Sequence, residues 1–513
     1  MKKINLSVLV IFLFIFLSAA AFRLTNLNLI EFKGDEAINL YLAARPLFGY
    51  PFPPGGTVSS IGLLNPPLLN YLLFPFVLIS LDPKIVSFFI GLINSFSIGL
   101  FFLIVKRYYS LTTALTASFL FAFSPWSIIF SRKIWTQNLI MPLMVLVLFS
   151  LGKIVVKQQR KYWIPYLTAT FFIIQLHQST GFFLVLLNFF LFLQLKKNKS
   201  VFHLKYILAG TILGILPAFP FLIYLVKNLF TNPEAILVAK ERFAPVFHSQ
   251  IFLRPLQIIN QGNFYFVLGQ DTLTFKNLYP FAYNLRVLFY LEYLFIPWGM
   301  VVFWQKHPQW RFLIGAVLTL PFVYFLLHFE PFIHYFLVIS LFLFLFLASS
   351  LSWLINSSRL FLKSAGGIIF TILIITSLIY NTAFFKLLQN QQGFKGDYGP
   401  VYSASAAEVK KRLLPYKDDP HYQEMFLASF LPIQYWYGYL PVPQMLYCYE
   451  ETKTHLDELE TRLKEVPVDA RIQLELLAFW TQSPPTPETL SLLKEKAITI
   501  PGYQLIYQAA SQF

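Results

Sequence analysis

Asp35 and Glu36 stand side by side in the run IEFKGDEAINLYLAA, residues 30–44, whose neighbourhood is otherwise almost all apolar. A carboxylate pair can supply a general base or a nucleophile. Neighbours on a helix diverge by about 100° around its axis, so only one of the two can face a given site. One carboxylate is therefore the reactive candidate and the other part of the scaffold. Taken alone, the pair reads equally as solvated side chains at a water interface. Glu292, in FYLEYLFIPWG, is an acid inside an apolar run, which is by default a functional residue, although it could pair with Arg286. His177 in QLHQSTG reads on its own as a hydrogen-bonded helix-end histidine. The cluster LHFEPFIHYF brings His328, Glu330 and His334 onto one short turn. These residue types suit a metal, but the spacing matches no strong metal motif, so no cofactor is expected while a divalent ion stays open.

Composition decides which elements hold these residues. Of 513 residues 57% are hydrophobic and only 12% charged, Phe occurs 58 times, and the mean hydropathy is +0.60. Long apolar runs with short basic interruptions are the pattern of a helical protein with many membrane spans. The runs do not alternate, which excludes a barrel. Spans are predicted near 5–23, 85–105, 111–130, 134–152, 162–177, 180–195, 204–226, 286–304, 312–327, 333–353 and 365–384, about eleven helices. The net charge of +16 could suggest nucleic acid, but its placement gives another reason. With a cytoplasmic N-terminus, the inner segments MKK, KRYYS, KIVVKQQRKY, KKNKSVFHLK, QKHPQWR and NSSRLFLK hold 16 Lys and Arg and no Asp or Glu. The positive-inside rule is satisfied at each turn, and the charge is a topology signal of a multi-pass plasma-membrane protein with no nucleic-acid partner.

The odd span count places the loops 24–84 and 227–285, and everything after 385, on the outer side. The first loop has apolar residues at helical spacing broken by GYPFPPGG, which predicts helices lying at the membrane surface. Its last segment, PPLLNYLLFPFVLISL, has the length of an interfacial or re-entrant piece. The loop 227–285 is long and aromatic, as a lid would be. From about 385 composition turns to soluble usage, with RIQLELLAFW as a strand and EETKTHLDELETRLKEV as a helix, so 385–513 is predicted to be a small exterior α/β domain beside a 1–384 membrane module. Cys448 is the only cysteine, so that domain has no internal disulfide. The first span also resembles a secretory signal peptide, whose removal would leave the remaining topology unchanged.

Arg23-Leu24 at the end of the first span, Asp35-Glu36, then Pro66-Pro67-Leu68, then Ser131-Arg132 occur in that order. This arrangement, over roughly residues 5–355, resembles the GT-C type of lipid-linked-sugar glycosyltransferases, the superfamily of protein O-mannosyltransferases and the aminoarabinose transferase. Asn65 stands where the family often has His, and His334-Tyr335 where it has Arg before the Tyr. The resemblance implies an all-α membrane fold, Asp35 as catalytic carboxylate with Glu36 beside it, and a sugar carried on a polyprenyl phosphate. A glycosidase needs an acid for its leaving alkoxide, but a phosphate leaves as a stabilised anion, so one base and nearby cations suffice. Arg132 ranks first among the implied phosphate ligands, because Arg grips phosphate bidentately, followed by Lys84, Lys133, His334 and Tyr335. Arg132 reads otherwise as a snorkelling anchor. His177, Glu292 and Glu330 are possible lining residues. The acceptor would be a lipid, glycan or protein hydroxyl. The rival reading is a lipid or polysaccharide transporter without chemistry, although its ionisable groups belong at the midplane and often in repeated halves. A polymerase or ligase of cell-surface polysaccharide, using similar lipid donors, is the third.

Overall fold

The computed structural model describes residues 6–57, 64–196, 201–231, 249–260, 264–329, 331–414, 417–418, 420 and 422–430. The expected strand at RIQLELLAFW and the helix at EETKTHLDELETRLKEV lie outside the described residues.

Each predicted apolar segment is a helix: α1 (Leu6–Arg23), α4 (Pro83–Tyr108), α5 (Leu111–Phe123), α7 (Ile140–Leu151), α8 (Trp163–Leu176), α9 (Thr180–Leu195) and α10 (Leu204–Ile215), the last continued by α11 (Phe219–Thr231). After several short turns of helix follow α12 (Tyr290–Lys306), α13 (Arg311–Leu326), α14 (Leu337–Ile355) and α15 (Leu360–Gln391). Among the described residues eight helical runs are long and apolar enough to cross a membrane, and α5, α8 and α9 are shorter. The segment between α1 and α4 carries α2 (Gly34–Ala44) and α3 (Leu68–Val77), which pack on each other. With ten residues and Pro75 inside it, α3 is too short to span.

The predicted span 111–130 is two helices. Pro125 has no N–H to donate and disfavours helix at Ser124, which is extended at ψ 125°, so α5 stops and α6 (Pro125–Phe130) starts afresh. The core is built around α14, apolar on all sides and buried along almost its whole length, with α12, α5, α15 and α7 packed around it. Its closest neighbour is α12: a Cβ on Gly299 would collide with the carbonyl oxygen of Phe346, so only glycine allows the two backbones to meet. α1 packs on α4 and turns Leu6, Phe14 and Leu17 outward, as a lipid-facing helix does.

α15 continues to Gln391, past its expected end at 384, and leads into a strap, residues 392–402. The strap pairs in isolated bridges, Glu31 with Val401 and Gly269 with Lys395, and so ties the segment before α2 to the one before α12. Gly269 has φ +56°, a left-handed conformation that glycine adopts without strain. Beyond the strap, α16 (Tyr402–Leu413) leads to α17 (Tyr422–Ala428), which docks on α2. The buried Tyr41 hydroxyl donates to Glu424 Oε1 at 2.8 Å.

Candidate active site

The chain enters α2 through an extended Lys33, whose backbone N–H donates to Glu36 Oε2 at 3.4 Å. This capping contact fixes how the two carboxylates diverge. Glu36 is 2% exposed and faces inward, whereas Asp35 opens to solvent. Trp135 Nε1 donates to Asp35 Oδ2 at 3.1 Å. The Trp135 ring is stacked on Phe130 with centroids 5.5 Å apart, and the ring of His334 meets it at 4.9 Å. Lys133 Nζ lies 5.0 Å from the centre of the same ring. His177 sits 4.8 Å from Tyr335 and 5.6 Å from His334, with its Nδ1 bonded to the Ser179 hydroxyl. Thus Asp35, Lys133, His177, His334 and Tyr335, from four distant stretches of sequence, gather around one tryptophan.

The charges behind Asp35 are balanced. Lys133 Nζ is 2.5 Å from Glu31 Oε2 and 3.6 Å from Glu36 Oε1, and Lys33 Nζ is 3.1 Å from Glu31 Oε1. Burial alone would lower the Lys133 pKa, but Glu31 and then Glu36 override it and keep the ammonium charged. Burial would likewise raise Glu31, yet Lys133, Lys33 and the Gly399 N–H hold that carboxyl below its ordinary value. For Glu36 the lysines are outweighed: burial, then the Glu31 charge, push it up to about 8 against the pull of Lys133, so at neutral pH it is mostly the neutral acid. Asp35 is also raised, first by the density of protein around it, with Lys133 and the Trp135 hydrogen bond opposing. A solvent-open carboxylate with raised basicity, set against a fixed cation, can accept a proton beside an anion.

The remaining predicted residues lie elsewhere. The Arg132 guanidinium is buried and donates to the carbonyl oxygens of Phe22 at 2.7 Å and of Thr25 and Asn26 at 2.6 Å each. It closes the C-terminal end of α1 where helical carbonyls lack partners, and all three of these bonds run to backbone and none to the opening. The place beside Asp35 expected for Arg132 is held by Lys133. Arg23 returns the favour, donating to the Ala122 carbonyl at 2.7 Å at the end of α5. Lys84 pairs with Asp82 at 3.4 Å and lies 6.0 Å from the Tyr402 ring; among the described residues no contact joins it to Asp35, Trp135 or His334. Glu292 is buried against Asn260, and Arg286 stacks instead on Tyr283, 3.6 Å from its centroid. Glu330 lies outside the described residues.

Three contributors were not singled out from sequence. Trp135 looks like an interfacial aromatic in SRKIWTQ, and its place directly after Arg132-Lys133 was the only hint. Glu31 and Lys33 flank the carboxylate pair but gain their roles from Lys133 and from the strap. The strap offers no local signal: Gly399 N–H reaches Glu31 Oε1 at 2.9 Å, and the Tyr398 hydroxyl reaches the Leu29 carbonyl at 2.6 Å. Among the described residues no group of three or more His, Cys, Asp or Glu could hold a metal ion. The carboxylates nearest Asp35 have lysine partners.

The described residues form a polytopic, all-α protein with eight helices apolar enough to cross a membrane, and its fold is that of an archaeal oligosaccharyltransferase. Among solved structures, the oligosaccharyltransferase of Archaeoglobus fulgidus in its apo form aligns over 83% of this chain and 60% of its own, at 13% identity and a TM-score of 0.50. The same enzyme in complex with Zn and sulfate aligns over 81% and 57%, at 15% identity and a TM-score of 0.50. ArnT from Cupriavidus metallidurans bound to undecaprenyl phosphate aligns over 98% and 76%, at 13% identity and a TM-score of 0.36, a value that carries no argument. The chain spans about three fifths of the length of the oligosaccharyltransferase it matches. No family model and no curated protein matches the sequence.

Proposed function

We propose that the protein is an integral-membrane glycosyltransferase that moves a sugar from a polyprenyl-phosphate donor to an acceptor hydroxyl on the outer face, with inversion and with Asp35 as general base. The observation that carries this reading is the division of labour among three neighbouring carboxylates. Glu31 is consumed by two lysines, Glu36 is buried and mostly neutral, and Asp35 alone opens to solvent with its orientation fixed by Trp135. The fold supports the reading, because the archaeal protein that shares it is an oligosaccharyltransferase.

In the proposed step the acceptor oxygen attacks the anomeric carbon from the face opposite the phosphate, and its proton passes to Asp35. The bond between that carbon and the phosphate oxygen breaks, and its electron pair leaves with the phosphate. Lys133 over the Trp135 ring and His334 against it, with Tyr335 and His177 next to His334, are the cation and donors available to the leaving charge in this reading. Arg132 braces the loop that holds them. In this reading residues 1–384 with the strap form the transfer module, and the exterior segment after it shapes the acceptor side, anchored to α2 through Tyr41 and Glu424. The N-terminus lies in the cytoplasm and the enzyme in the plasma membrane, as the basic inner segments require.

The test is transfer from a panel of radiolabelled polyprenyl-phosphate sugars by purified protein, compared with Asp35→Asn. Loss of a positioned base costs about 10²–10⁴-fold in rate. A fully active variant would remove the mechanism, and lipid translocation without transfer by the native protein would replace it with a transporter.

A further inference from the structure

Lined by none of the residues around Trp135, a groove of about 460 Å³ runs between α15 and the turn Leu278–Ala282. One wall is Leu378, Ile379, Thr382, Ala383 and Lys386, whose spacing is a single stripe along the outer half of α15. From Leu378 to Lys386 that stripe is about 12 Å long at the helical rise. The other wall is the apolar turn at Tyr279, Pro280 and Phe281. The groove is apolar along its length and closes on an ammonium at one end. Lys386 is exposed and has no ion-pair partner among the described residues.

The charge around this end is net positive. Within 264–286 and 378–397 the basic residues are Lys276, Arg286, Lys386 and Lys395 and the acids are Asp271 and Asp397, and the Asp271 carboxylate accepts the Lys395 backbone N–H at 2.7 Å. In a helix that crosses the bilayer, a lysine one turn before the end reaches the headgroup level while the stripe below it stays in hydrocarbon. A groove of this volume falls in the range that seats a small ligand.

We propose that this groove is a binding site for an anionic phospholipid of the outer leaflet, with one acyl chain along Leu378–Ala383 and the headgroup phosphate on Lys386. The occupant is chosen by complementarity. A zwitterionic lipid would fill the apolar stripe equally well but would leave the unpaired cations without a net counter-charge. The inference does not depend on the transferase reading, since it uses neither Asp35 nor the residues around Trp135.

The experiment is native mass spectrometry of the full-length protein, stripped of lipid in detergent and reloaded with phosphatidylglycerol or phosphatidylcholine. The native protein is expected to retain phosphatidylglycerol about fivefold better, the preference that one lysine near a charged headgroup supplies. Lys386→Gln should abolish that preference, and Ala383→Trp should displace the lipid by filling the groove. Lys363→Gln, at the opposite end of the same helix, should change neither. Equal retention of the two lipids by the native protein, or an unchanged preference in Lys386→Gln, would overturn the assignment. So would displacement of bound phosphatidylglycerol by undecaprenyl phosphate, which would make the groove a donor passage.

Discussion

Trp135→Phe tests the arrangement at its narrowest point. The ring stacked on Phe130 is kept in shape, and the change deletes only the N–H that donates to Asp35 Oδ2 at 3.1 Å. A hydrogen bond to a charged group contributes about 1.5–3 kcal/mol, and an opening that admits water puts this one at the lower end. The bond stabilises the carboxylate over the acid, so its loss moves Asp35 further upward from a pKa that burial already raises. A base must be ionised to work. The acid limb of the pH profile of kcat/KM should therefore shift toward alkaline pH, with activity on that limb about tenfold lower than in the native enzyme, since 1.36 kcal/mol is a factor of ten. At pH well above the limb the two enzymes should converge, apart from any loss of aim. The assay is sugar transfer from a radiolabelled polyprenyl-phosphate donor across a pH series. A limb at its native position, with activity lowered evenly at all pH values, would show that Trp135 does not act through Asp35 ionisation.

Glu36→Gln should retain activity within about threefold, because the native side chain is already mostly uncharged and the Lys33 N–H keeps an acceptor. It should also change how stability depends on pH. Between the ordinary carboxylate value and about 8 the unfolded chain ionises Glu36 and the folded chain does not, so the folded state binds more protons and loses stability as pH rises through that window. Thermal unfolding in detergent should show a weaker decline over that range in the variant; parallel declines would refute the assignment. Arg132→Lys should destabilise the protein by at least ~1.5 kcal/mol, since an ammonium cannot serve the carbonyls of Phe22, Thr25 and Asn26 together. An unfolding midpoint equal to the native one would count against the brace.

The spans were readable because lipid as solvent demands long apolar helices, and hydropathy reports that demand directly. Where the reading of one continuous segment over 111–130 failed, Pro125 was the cause, and the break it makes leaves the α5 carbonyls that Arg23 then serves. The contrast between Asp35 and Glu36 follows from helix geometry and needs no tertiary information to state. Which of the two faces solvent does need it: the Lys33 N–H and the Lys133 ammonium hold Glu36 inward, and Lys133 is almost a hundred positions away. Arg132 shows the same limit. Its type and position suit a phosphate, but the ends of helices nearby offer carbonyls that a buried guanidinium must satisfy first. Trp135 and the strap carry no pattern that distinguishes them from ordinary interfacial and loop residues.

The reciprocal arginines at the ends of α1 and α5 have a mechanical consequence. α1 turns one face outward, and its 18 described residues rise about 27 Å, a length comparable to a bilayer's hydrocarbon thickness of about 30 Å. Tilt of that helix carries with it the carbonyls of Phe22, Thr25 and Asn26, and through Arg132 the loop bearing Lys133 and Trp135. On the proposed function, the thickness of the surrounding membrane is thereby one of the dimensions of the site beside Asp35.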